Sequence, residues 1–118
     1  MNSIVEQLIS WTQKNSAMLG SHGVQITEKF PEVGSRHPWK ASIELAYKYI
    51  VLSYTVWERT GFQTELLVMN TSTGKTIVMD ERSPSDPSVV DGDMDEVAQN
   101  LIANVYAGMK PDPKLTIS

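Results

Sequence analysis

Two histidines, His22 and His37, and the carboxylates of Asp91-Gly92-Asp93-Met94-Asp95 are the residues whose types and spacing most directly suggest chemistry. Imidazole binds metals or moves protons, and alternate carboxylates can converge on a hard cation such as calcium. Neither pattern is completed. Each histidine stands alone in a stretch marked by Gly or Pro, with no His-Glu-x-x-His pair at helical spacing. A calcium loop opening at Asp91 needs Gly at its sixth position and a bidentate carboxylate at its twelfth, where Glu96 and Ile102 stand instead. These acids read better as the start of a helix, whose dipole favours negative charge. Gly74-Lys75-Thr76 copies the end of a phosphate-binding loop, but Met69 replaces the first Gly and the flanking runs are β-rich, which predicts a hairpin turn. With no Cys there is no thiol nucleophile, thiolate zinc site or disulfide, and no Gly-x-Ser-x-Gly elbow is present. The sequence therefore predicts no metal, no cofactor and no catalytic residue. An enzyme would have to be assembled from unmarked residues such as Glu44, Glu65, Tyr54 or His37.

The elements that would position these residues follow from periodicity. Ser3 and Glu6 form a capping-box pattern, and Ile4, Leu8 and Trp11, with Val5 and Thr12 beside them, fall on one stripe of a helix that ends near Gly20 or Gly23. From Val24 the period is two, until Pro31 stops a first strand, and residues 30–38 read as a loop. Ala41, Ile43, Leu45 and Tyr47 then alternate with Ser42, Glu44, Ala46 and Lys48. Residues 50–58 are apolar on both faces, as in a central strand. Gly-containing turns lead to further strands at 62–70 and 76–81. Asp93 and Glu96 offer a second cap pair, followed by Met94, Val97, Ala98, Leu101, Ile102 and Val105 at helical spacing, with Gly108 as the left-handed stop. The expected fold is α+β: an antiparallel meander of about five strands, with N- and C-terminal helices packed on one face and the other face open. Residues 1–110 form the domain, and 111–118 read as a flexible tail. Gln63, Glu65, Leu67 and Met69 are candidates for the open face.

Charge limits the partners. The 118 residues carry 14 acids against 10 cations, a formal charge of -4. That argues against nucleic acid, whose phosphates require clustered cations. The excess is local: residues 80–96 hold seven acids and one cation, Arg82, so the rest of the chain is mildly basic. The segment reads either as a solvated loop with a well-capped helix or as an acidic patch that speeds docking to a cationic site. The partner-binding candidates are Asp86, Asp91, Asp93, Asp95, Glu96, Glu58 and Trp39. No apolar run exceeds four residues and no leader pattern precedes Lys14, so a soluble, cytoplasmic protein without a membrane partner is expected.

One stretch resembles a known family. Tyr54-Thr55-Val56-Trp57-Glu58-x-x-Gly61, an apolar strand, and Asn70-x-x-Thr73-Gly74-Lys75 together resemble the small bacterial immunity proteins of the TriTu family. In that family a Trp-bearing N-terminal helix and a C-terminal helix enclose the strands. The resemblance implies an antidote without catalytic activity, kept in the producing cell's cytoplasm, that forms a one-to-one complex with a type VI-secreted ADP-ribosyltransferase toxin acting on elongation factor Tu. Inhibition would come from obstructing the toxin's NAD or substrate cleft. Within the motif, Trp57 and Gly61 read as hairpin architecture, a sheet anchor and a positive-φ turn. The competing reading is a small-molecule binding or adaptor domain that uses the open sheet face.

Overall fold

The computed structural model describes residues 3–31, 40–58 and 61–109. The order is helix, five strands, helix: α1 (Ile4–Ser21), β1 (Gln25–Lys29), β2 (Lys40–Tyr47), β3 (Ile50–Glu58), β4 (Phe62–Asn70), β5 (Lys75–Arg82) and α2 (Val89–Ile102), followed by a short 3-10 turn at Tyr106–Gly108. The strands pair in chain order as an antiparallel meander, and both helices lie on one face, as the α+β reading expects. The tail after Met109 lies outside the described residues. No helix among the described residues is long and apolar enough to cross a membrane.

α1 starts because two different carriers of oxygen satisfy its free amides. Ser3 Oγ accepts the Val5 and Glu6 N–H groups at 3.2 and 3.4 Å, and Glu58 Oε1, from the far end of β3, accepts the Ile4 N–H at 3.0 Å. The helix stops in a Schellman arrangement: the Val24 N–H reaches the Leu19 carbonyl at 3.0 Å and the Gly23 N–H reaches Gly20 at 3.0 Å. Gly23 takes φ 85°, where a Cβ would be strained. Ile4, Val5, Leu8, Trp11, Thr12 and Leu19 are buried, which is the stripe expected from spacing with Leu19 added.

The sheet's inner face follows the period of two. Ala41, Ile43 and Leu45 on β2 and Ile50, Leu52, Tyr54 and Val56 on β3 are buried beneath the helices. The register continues through Leu52, Val68 and Val78, and a bulge between Val68 and Met69 turns Ile77 as well as Val78 away from solvent. Lys48 is not on a strand face: it has φ 54° in the two-residue turn between β2 and β3.

α2 begins four residues earlier than Asp93. Asp86 Oδ1 accepts the Ser88 N–H at 2.9 Å, the Asp86 carbonyl accepts the Val89 N–H at 3.3 Å, and the chain enters the helix at Val89. Val90, fully buried, makes the extra turn favourable by adding an apolar residue to the Met94, Val97, Ala98 and Leu101 stripe. The stop is also earlier. Asn104, with φ 62°, supplies the left-handed residue expected of Gly108, and Val105 is 46% exposed instead of packed.

Candidate functional site

The acidic run is distributed over two faces of α2. Asp91 and Asp95, one turn apart, look toward α1: Asp91 Oδ2 accepts from Gln7 Nε2 and Asp95 Oδ1 from Trp11 Nε1, both at 2.8 Å. Asp93 looks toward the sheet, where its Oδ2 accepts the Tyr54 hydroxyl at 3.0 Å and its Oδ1 lies 3.7 Å from the Arg82 guanidinium. Glu96 is exposed and borders the same side. Asp86 is exposed, and the Ser88 N–H holds its carboxyl below the usual carboxylate value. Glu58 is engaged with Ile4, at the opposite end of the chain from this run. Trp39 and His37 lie outside the described residues. The structure thus brings Asp93 and Glu96 together, separates them from Asp91 and Asp95, and gives four of the seven candidates an intramolecular bond across the fold.

Between α2 and the β4–β5 end of the sheet is a cleft of about 310 Å³. Its floor includes Leu66, Val78 and Val97, and its polar groups include Tyr54, Asp80, Arg82, Asp93 and Glu96. Arg82 bonds Asp80 at 2.7 Å. Burial first, and the Asp93 charge second, push the Tyr54 phenol well above its ordinary value, so it is a permanent donor to that carboxylate. Burial likewise raises Tyr106, which also lines the cleft. Spacing along the chain does not show that these residues meet, because Asp80 and Arg82 come to the inner face through the β4–β5 register.

The opposite face of the sheet is covered by no described element. Glu65 and Glu81 stand directly opposite each other on β4 and β5, and Leu67 opposes Met79 in the next row of the same face. Met69 and Met79 are 37% and 50% exposed. Trp57 belongs to this face: half-buried, it carries the Lys40 ammonium 5.7 Å from its ring centroid. Trp57, Gln63, Glu65 and Glu81 border a shallow depression of about 340 Å³. Partial desolvation and the neighbouring Glu81 raise the Glu65 carboxyl above its ordinary value, against an opposing influence from Lys40. Of the four residues that alternation assigned to the open face, all are on it; Met79, Glu81 and Trp57 join them through pairing that a single strand's pattern does not reveal.

The remaining motifs are architectural. Gly74, at φ 71°, closes the β4–β5 turn by donating its N–H to the Asn70 carbonyl at 2.8 Å, and His22 caps the end of α1. Among the described residues no group of three His, Asp or Glu converges as a metal site would require. Compared with known proteins, the chain matches no family model, and neither a curated protein nor a solved structure is significantly similar to it.

Proposed function

We propose that this chain is an antidote: a bacterial immunity protein that binds a cognate ADP-ribosyltransferase toxin one-to-one in the cytoplasm and obstructs its NAD or protein-substrate site. The family and the toxin come from the resemblance of the β3–β4 motif to TriTu immunity proteins. The observation that supports a protein partner is the uncovered sheet face with Leu67, Met69 and Met79. Five strands of up to nine residues offer roughly 600 Å² from strand rise and spacing, close to the ~800 Å² per partner of a standard interface. The charge of -4 suits a partner whose cleft must bind the pyrophosphate of NAD and is therefore cationic.

Co-expression with a toxin domain encoded immediately upstream tests this. The expected results are a one-to-one complex on co-purification, loss of ADP-ribosyl transfer, and rescue of growth. Failure to bind and rescue refutes the antidote reading. The cleft beside Tyr54 and Arg82 favours a second reading, a small-molecule binding domain, which native mass spectrometry would support by showing a ligand retained by the purified chain.

A further inference from the structure

We propose that the β4–β5 half of the uncovered sheet face is the docking surface, and that the opposed carboxylates Glu65 and Glu81 receive a lysine or arginine side chain from the partner protein. This rests on the antidote reading for the partner's identity and goes beyond it in naming the surface and its chemical complement.

The first support is a like-charge pair that no ion pair among the described residues closes. Like charges directly opposite on adjacent strands destabilise a sheet, and Glu65 and Glu81 are such a pair. Neither nearby cation closes an ion pair with them. Arg82, next to Glu81 in sequence, points to the other face and pairs with Asp80 at 2.7 Å, and Lys40, over the Trp57 ring, only partly offsets the charge at Glu65. Among the described residues, no ion pair within 4.0 Å reaches either glutamate.

The second support is the apolar row beside the pair. Leu67 and Met79 lie two residues further along the same strands, about 7 Å along the sheet from the glutamate positions. A partner that covers this row dehydrates the glutamates too, and buried unpaired carboxylates are costly, so a covering surface that brings a cation is favoured. Its signature is a basic side chain about 7 Å from an apolar one, a spacing found at two strand positions or about one helical turn. A second copy of the chain fits poorly, since each copy carries -4.

The test uses the full chain and the upstream-encoded toxin domain, with calorimetric titration and thermal melting of Glu81→Gln and Met79→Glu. Glu81→Gln removes the repulsion and keeps the shape. The free protein should melt roughly 1–4 °C higher, while toxin affinity falls about tenfold. Met79→Glu, at an exposed position, adds a third carboxylate beside the pair, so it should lower melting by no more than a few degrees and abolish the complex. A helix-face control, Gln99→Glu, should bind like the parent. If the toxin binds and both outer-face variants bind as tightly as the parent, this docking surface is wrong and the antidote reading stands. If the toxin does not bind the parent, both are wrong. Dimers of the free chain in sedimentation that Met79→Glu dissolves would assign the face to a second copy and overturn the proposal.

Discussion

Replacing Tyr54 with Phe removes one hydroxyl and tests how α2 is held on the sheet. Tyr54 is 1% exposed and its hydroxyl donates to Asp93 at 3.0 Å. A hydrogen bond to a charged acceptor contributes roughly 1.5–3 kcal/mol. The Asp93 side chain is 20% exposed at an open cleft and keeps Arg82 at 3.7 Å, so water replaces part of the loss and the lower end applies, about 1.5 kcal/mol. The pH dependence carries a second signature. The phenol's value is raised on folding from 10.0, so the stability it confers is complete below pH 10 and declines above it, where the unfolded chain releases a proton that the folded chain retains. One retained proton over one pH unit amounts to about 1.4 kcal/mol. Urea denaturation of the parent and Tyr54→Phe at pH 8 and pH 11 measures both effects. The stability gap should be about 1.5 kcal/mol at pH 8 and shrink by about 1.4 kcal/mol at pH 11, with the raised Tyr106 cancelling because both proteins contain it. A gap that is absent at pH 8, or equal at both pH values, refutes the assignment of Tyr54 as the donor that holds Asp93.

Two further substitutions examine the ends of α1. Glu58→Ala leaves the Ile4 N–H without its acceptor and should cost about 1 kcal/mol in urea denaturation, with Glu58→Gln recovering most of the loss; equal stability of the parent and the alanine variant would show that the cap is dispensable. Gly23→Ala should cost about 1–2 kcal/mol because φ is 85°, and the nearest atom to the added Cβ, Tyr47 Cε1 at 4.0 Å, leaves room enough that the loss is conformational; the same variant in Asn form should be milder, and an alanine as stable as glycine would contradict the left-handed stop.

Sequence spacing located the elements wherever the controlling interactions are local. Alternation through Ile50, Leu52, Tyr54 and Val56 set the ends and inner face of β3, and Ser3 marked the start of α1. The C-terminal helix is present as expected, but the ends of α2 differ because local signals compete. Asp93 and Glu96 look like a cap, yet the Asp86 turn comes first and Val90 has a core position to fill. The site was least legible. Gln7 and Asp91, Trp11 and Asp95, and Tyr54 and Asp93 are separated by 84, 84 and 39 residues, and only the packed arrangement shows that these acids hold elements together. The Glu65–Glu81 pair depends on register across β4 and β5, which a one-residue slip would abolish.

The structural bonds of the acidic run do not remove it from a role in association, because a hydrogen-bonded carboxylate keeps its charge. The potential of residues 80–96 extends about 8 Å into physiological salt, whichever amide or hydroxyl each oxygen accepts. Steering and contact can therefore be assigned to different parts of the molecule. In the proposed complex, long-range attraction would come from the α2 segment and act on the association rate, whereas the outer sheet face, with Leu67, Met79 and the opposed glutamates, would govern how long the partner stays. This division also decides which acids report on docking. Removing Asp91, Asp93 or Asp95 frees Gln7, Tyr54 or Trp11 and perturbs the helix packing, so a slower association would confound charge with folding. Asp86→Asn and Glu96→Gln separate the two effects: the first retains an oxygen for the Ser88 amide, the second lies on an exposed position, and each removes one charge from the field while leaving the α1–α2 bonds in place.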